Sequence, residues 1–165
     1  MQIKQERPED AVAIRVLTNA AFKDMPHSDQ TEAKIVDALR DAGALTLSLV
    51  ASQDGEIIGH AAFSPVQING RSCGWYGLGP VSVRPDCQRK GIGSAIIRDG
   101  LHRLKAMKAA GCVVLGESDY YRRLGFVIDP RLRYAEGLES YFQGLAFTKV
   151  VPIGQVAYHH GFDVV

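Results

Sequence analysis

Eight residues, Gln88-Arg89-Lys90-Gly91-Ile92-Gly93-Ser94-Ala95, constrain this chain more than any other stretch. A strand-like run, Leu78-Gly79-Pro80-Val81-Ser82-Val83, leads into them, and a helix-like run to about Ala110 leaves them. Strand, glycine-bearing turn and helix start together aim main-chain N–H groups at an anion. The two glycines let the backbone approach a ligand with no Cβ in the way, and a pyrophosphate is the anion the arrangement suits. A Walker A loop is excluded, because it needs G-x-x-x-x-G-K-[S/T], whereas here one residue separates the glycines and Lys90 precedes them. A dinucleotide fingerprint, G-x-G-x-x-G, lacks its third glycine, since Ile96 stands there, and the unit comes mid-chain after other strands. A tight strand-to-helix turn that binds nothing is the plain alternative.

Two further elements lie in a fixed order around the loop: Pro80-Val81-Ser82-Val83-Arg84-Pro85 before it and Tyr121-Arg122-Arg123-Leu124-Gly125-Phe126 after it. Gln88-Arg89-Lys90-Gly91-Ile92-Gly93 matches Q/R-x-x-G-x-G/A at every defined position, and the later run matches Tyr-x-x-x-Gly-Phe. Over about fifty residues the chain thus resembles the GNAT superfamily of N-acetyltransferases. Residues 31–40, the Asp54-Gly55-Glu56-Ile57-Ile58-Gly59-His60 turn and residues 154–163 resemble a bacterial branch of predicted acetyltransferases, which extends the likeness to nearly the whole chain.

The chain has 165 residues, 46% hydrophobic and 22% charged, which fits one globular domain spanning 1–165 with a sizeable core. The formal net charge of +1 and the lack of a basic tract do not suggest nucleic-acid binding. No apolar run approaches the ~20 residues of a membrane span, and the first residues lack an apolar signal core. Cys73, Cys87 and Cys112 are odd in number and scattered, as free thiols in a reducing cytoplasm would be. Tyr141-Phe142-Gln143-Gly144 resembles a protease-site remnant, but it continues into an apolar run and reads as native.

Periodicity orders the elements. A strand over 2–6 precedes a helix entered near Pro8, with Ala11, Ile14, Leu17 and Ala21 at helical spacing. A second helix over 31–41 ends at Gly43. Strands follow over 45–52, 56–63 and 71–83, joined by hairpin turns at Asp54-Gly55 and Asn69-Gly70. A long helix over 92–110 carries Ile96, Ile97, Leu101, Leu104 and Met107 and closes at Gly111. A buried strand over 112–115, a short helix over 120–124 stopped by Gly125, and late strands over 144–151 and 155–158 complete an α+β order with one parallel crossover. The resemblance adds the expectation of a GNAT-type mixed central sheet, helices on both faces, and a splayed strand pair that admits the cofactor.

The resemblance implies acetyl-CoA as cosubstrate. N–H groups of Arg89, Lys90, Gly91, Ile92, Gly93 and Ser94, with Gln88 and Ala95 at the ends, would hold the pyrophosphate, and the helix start adds its positive end. Ser94 serves equally as a helix-start serine. The backbones of Val81 and Val83 would pair with the pantetheine arm like an added strand. Tyr121 is the candidate acid for the leaving thiolate, or else packs under the cofactor; Tyr120 reads as a core or substrate-wall aromatic. A main-chain N–H at Val81 or a neighbour would stabilise the oxyanion. For the base, Glu117 acting through a water comes first and His60 second; Asp24, His27 and Glu32 flank the expected substrate entrance. The chain departs from the common family pattern twice: 115–119 offers no Asn before the Tyr helix, and no glutamate stands on the strand before the loop. His159 and His160 read as adjacent strand residues on opposite faces, with no metal site. The acceptor would be a primary amine of a small molecule, peptide or protein, and the chain a monomer or homodimer. A non-catalytic acyl-CoA sensor is the alternative.

Overall fold

Two tight turns set the register of the sheet. Asp54 and Gly55 take positive φ (53° and 80°), as do Asn69 and Gly70 (51° and 73°), the condition for two-residue hairpins whose twist matches the flanking strands. They join β2 (Leu47–Gln53) to β3 (Glu56–Ile68) and β3 to β4 (Arg71–Val83). The computed structural model describes residues 1–165 and adds β1 (Gln2–Gln5) antiparallel to β2. Beyond β4 come β5 (Gly111–Leu115), parallel to β4, and β7 (Phe142–Ala146), antiparallel to β5. The sheet runs β1-β2-β3-β4-β5-β7. Two short strands, β6 (Leu132–Arg133) and β8 (Gly154–Ala157), attach at the far end of β3.

Helices cover both faces. α3 (Ile92–Ala106) lays Ile92, Ile96, Ile97, Leu101 and Leu104 on Leu47, Leu49, Ala51, Ala61 and Phe63. Because side chains alternate along a strand, Val50 faces the other way, where Ile14 of α1 (Ala11–Phe22) and Val36 of α2 (Glu32–Asp41) meet it. A five-residue helix, α4 (Ser118–Arg122), follows β5.

β4 and β5 separate where the site lies. Their ladder ends at Leu78↔Val114, whereas β4 stays paired to β3 through Val83↔Gly59. Between Ala61↔Val81 and Phe63↔Leu78, β3 advances two residues and β4 three. The extra residue is a bulge at Gly79-Pro80, which lets β4 turn from its neighbour.

Several expectations are corrected. α3 stops at Ala106, not near Ala110: Lys108 takes φ 64°, its N–H donates to Lys105 O, and Ala109 N–H donates to Leu104 O. That is a Schellman stop with lysine in the left-handed position. It leaves Met107 half exposed and makes Gly111 the first residue of β5 rather than the end of the helix. β7 starts at Phe142 rather than Gly144, so Phe142 and Gln143 are buried in the sheet. α4 begins two residues before the expected start, β3 runs on to Ile68, and β6 was not anticipated. His159 and His160 follow β8 in a turn, with rings side by side, centroids 4.0 Å apart, rather than on opposite faces of a strand.

Candidate active site

The loop entering α3 is a fringe of unpaired donors. None of the seven main-chain N–H groups from Gln88 to Ser94 donates to a backbone carbonyl; the first that does is Ala95, to Gly91 O at 3.0 Å. Arg89 (φ 63°) and Gly91 (φ 83°) both take left-handed backbone, and alternation of this kind turns successive N–H groups into one concavity. Gly91, Arg89 and Lys90 are exposed, while the Ile92 side chain is buried beside Gly59, so its contribution is its backbone. Gly93 sits where a Cβ would come within 3.3 Å of Tyr120 Oη. Ala95, with its N–H engaged, lies outside the fringe.

The edge of β4 meets this fringe. Arg84 N–H donates to Ile58 O at 2.8 Å, so the alternate residues Val83 and Val81 turn their backbone groups to the side that β5 has left. The Gln88 side chain reaches back and donates from Nε2 to Val83 O at 3.0 Å. The Gln88 side chain therefore braces the strand end while its main-chain N–H stays among the unpaired loop donors, a contact the motif does not reveal.

α4 forms the opposite wall. The Tyr121 ring lies on Gly116, where a Cβ would stand 2.6 Å away, and packs edge-on to Tyr120 and Phe126. Burial pushes the Tyr121 phenol above the ordinary tyrosine range, with Tyr120 and Cys112 acting the same way; the hydroxyl stays protonated at neutral pH. Tyr120 packs against the core, and its hydroxyl lies 2.9 Å from Ser94 Oγ, tying α4 to the first turn of α3. Gln143 enters the sequence analysis only within Tyr141-Phe142-Gln143-Gly144, with no role at the site. It is buried, and its Nε2 donates to Gly116 O at 3.3 Å. Glu117 caps α4 through its carbonyl and leaves its side chain exposed. Asp24 and His27 are exposed in the α1–α2 connection, where Glu32 accepts from Ser28 Oγ at 2.7 Å.

Residues 45–128 match the family described as acetyltransferase (GNAT) domain. The uncharacterised N-acetyltransferase YhbS of Escherichia coli K12 is 37% identical over 171 residues, covering 99% of both chains. The chain belongs to the GNAT acetyltransferases. A GNAT family acetyltransferase from Brucella melitensis, solved in complex with acetyl-CoA, is 54% identical, covers 98% of this chain and 97% of its own, and superposes with a TM-score of 0.89. E. coli YhbS, solved in complex with CoA, superposes with a TM-score of 0.90 at 35% identity, covering 99% of this chain and 92% of its own. No helix of this acetyltransferase is long and apolar enough to cross a membrane.

His60 of the acetyltransferase is fully buried on the α1 face of β3, with Nε2 2.8 Å from Ser48 Oγ. Burial holds its pKa at about 4 against 6.5, with Glu6 pulling upward and Arg40 downward. Well above pH 6.5 the group is neutral whether the chain is folded or not. As the pH falls toward 4, only the unfolded chain takes the proton. Stability is therefore expected to decline across that window by about 3 kcal/mol from this group, and no further below it. Urea denaturation along this range measures it, and a constant midpoint would contradict it. Glu6 adds to the decline lower down. Burial alone would raise its carboxyl, but hydrogen bonds from Arg40 and Ser48 bring it below the usual value; its contribution is lost as pH falls through that lowered pKa.

Proposed function

We propose that this single acetyltransferase domain moves the acetyl group of acetyl-CoA to a primary amine by direct attack in a ternary complex. One observation carries the reading: the unbroken row of unpaired N–H groups from Gln88 to Ser94 at the positive end of the 15-residue α3. Bound acetyl-CoA supplies an activated thioester. The chain's residues do the rest.

The N–H groups of the loop bind the pyrophosphate, and Arg89 and Lys90 add charge at its rim. The exposed backbone edge of Val81 and Val83 takes the pantetheine amides as a strand would. The Val81 N–H supports charge that develops on the acetyl oxygen. Tyr121 holds a proton for the departing thiolate; a phenol kept neutral by burial is suited to donating that hydrogen bond. Two groups compete for the amine's proton: Glu117, through a water, and His60. Asp24, His27 and Glu32 lie on the path by which a cationic amine would approach.

The test is release of free thiol from acetyl-CoA in the presence of a panel of primary amines. Tyr121→Phe is expected to lower kcat about 100-fold or more while calorimetry finds CoA affinity unchanged. Tight acetyl-CoA binding with no thiol release for any amine would replace this reading with a non-catalytic sensor of acyl-CoA.

A further inference from the structure

On the face of the sheet that α1 covers, three polar atoms are buried without a partner: Ser64 Oγ and His60 Nδ1 on β3, and Ser82 Oγ on β4. They flank the Gly79-Pro80 bulge, with Ser64 opposite Gly77 and His60 directly opposite Ser82. Buried polar side-chain atoms nearly always have a partner, so a row of unpartnered ones marks where a water or a ligand atom belongs.

The other nitrogen of His60 is held. Nε2 lies 2.8 Å from Ser48 Oγ, Ser48 is in a short hydrogen bond with Glu6, and Arg40 donates to the Glu6 carboxylate at 2.7 and 3.0 Å. The inventory of protons then fixes the tautomer. An ionised carboxylate only accepts, so the single Ser48 proton points at Glu6. The Ser48 oxygen must accept from Nε2–H of the neutral imidazole, which leaves Nδ1 as a bare lone pair inside the protein. The outer end of the chain opens on a cleft of about 430 Å³ lined by Glu6, Arg40 and Ser48. Its inner end stands opposite Ser82, next in the chain to Val81. Hydrogen bonds thus run from the cleft to His60, and a water between Nδ1 and Ser82 would carry the line on to the stretch of β4 that β5 has left.

We propose that His60 is the proton-relaying residue of acetyl transfer, drawing the proton of the attacking amine to Nδ1 by way of Ser82 or a bridging water and delivering it through Ser48 to Glu6. This rests on the amine acceptor proposed above and chooses His60 over Glu117. In the relay an N–H bond of the ammonium breaks as an O–H bond forms on Ser82 or water, whose own proton forms Nδ1–H. Nε2–H then passes to Ser48 Oγ as the Ser48 proton passes to Glu6, which releases it to water in the cleft. The charged groups acting on His60 are Glu6, the residue after β1, and Arg40 from α2, the latter also held by Asp37 at 2.9 Å. His60 is a positioning residue in this scheme, acting through Ser82 or a water.

The experiment compares wild type with His60→Gln, whose amide still donates to Ser48 but takes up no proton. Rates are read at saturating acetyl-CoA with the amine panel, from about pH 6 to about pH 10. The expected result is unchanged CoA affinity and amine KM, with kcat about 100-fold lower near neutrality. That deficit shrinks toward high pH, where the amine arrives already neutral. Ser48→Ala, which keeps the imidazole and cuts its outlet, is expected to show the same pH-dependent deficit and covers a failure of the first variant to fold. A loss equal at every pH, or a pH-dependent deficit found in Glu117→Gln instead, overturns the proposal. Nitrogen-15 histidine spectra of the wild type supply a readout apart from turnover: the Nε2–H tautomer is expected for His60. An Nδ1–H tautomer overturns the relay even if no amine is acetylated, whereas failure of every amine alongside the expected tautomer counts against the acceptor reading.

Discussion

Gly91→Glu is expected to abolish acetyl-CoA binding while leaving the fold standing. Gly91 is exposed at the N-cap of α3, and a Cβ there would meet nothing within 4 Å. The only structural cost is its φ of 83°, a left-handed backbone that a side chain disfavours by about 1–2 kcal/mol, set against a domain stability of about 5–15 kcal/mol. The functional cost is larger. A carboxylate at this position reaches the donors meant for the diphosphate and adds repulsion to an anion otherwise favoured by the helix end. Affinity for CoA is expected to fall more than 100-fold, which is about 2.7 kcal/mol, read by calorimetry, with the thermal midpoint shifted by only a few degrees. Gly91→Ala carries the same backbone strain and a Cβ but no charge, and should lose less of the affinity than the glutamate variant. Full-strength binding by the glutamate variant would mean that the diphosphate is held elsewhere.

Phe63→Ala is expected to be among the most destabilising single truncations in the sheet. Phe63 is fully buried on β3, and its ring lies against α3 at Gly100, where a Cβ would run into it, and against Leu49. Deleting a ring from such a site costs about 3–5 kcal/mol, the lost transfer energy plus the cavity. For a domain of this size that lowers Tm by about 10 °C or more. The contact also sets the height of α3 above the sheet, and with it the loop that opens the helix. CoA binding at low temperature, where the variant stays folded, should therefore weaken as well. A loss below about 1 kcal/mol in urea unfolding would show that the helix–sheet contact is not where the core's strength lies.

Much of the fold could be read locally. Asp54-Gly55 and Asn69-Gly70 marked both hairpins, because positive φ at two successive residues admits few side chains. Gly43 and Gly125 ended α2 and α4 for the same reason. The end of α3 was not readable: Met107-Lys108-Ala109-Ala110 are good helix formers, and Lys108 in the left-handed position contradicts its propensity. The chain stops there because the next residues must pair with β4, at Trp75↔Gly111. β7 came out two residues late in the sequence reading for the same kind of reason, since its start is set by Leu115↔Phe142 across the sheet.

The division in the site follows the reach of the interactions. Arg89, Lys90, Gly91 and Gly93 carry the unpaired N–H groups of the loop on a short stretch of chain, so spacing alone marked them as the proposed anion site. Gln88 turning back on Val83, Ser94 meeting Tyr120, and Gln143 beneath the Tyr121 wall depend on contacts between elements and left no local trace. The Glu6–Ser48–His60 line is the extreme case: a residue just past β1, one on β2 and one on β3, each unremarkable in its own segment, meet in one line of hydrogen bonds only because β1, β2 and β3 are laid edge to edge. The chain's order alone determined the hairpins, the glycine loop and the family they belong to, because local backbone rules act over a few residues. Tertiary structure decided where α3 ends, what each tyrosine packs against and which groups the His60 imidazole meets, because burial and strand pairing act between residues far apart in the chain.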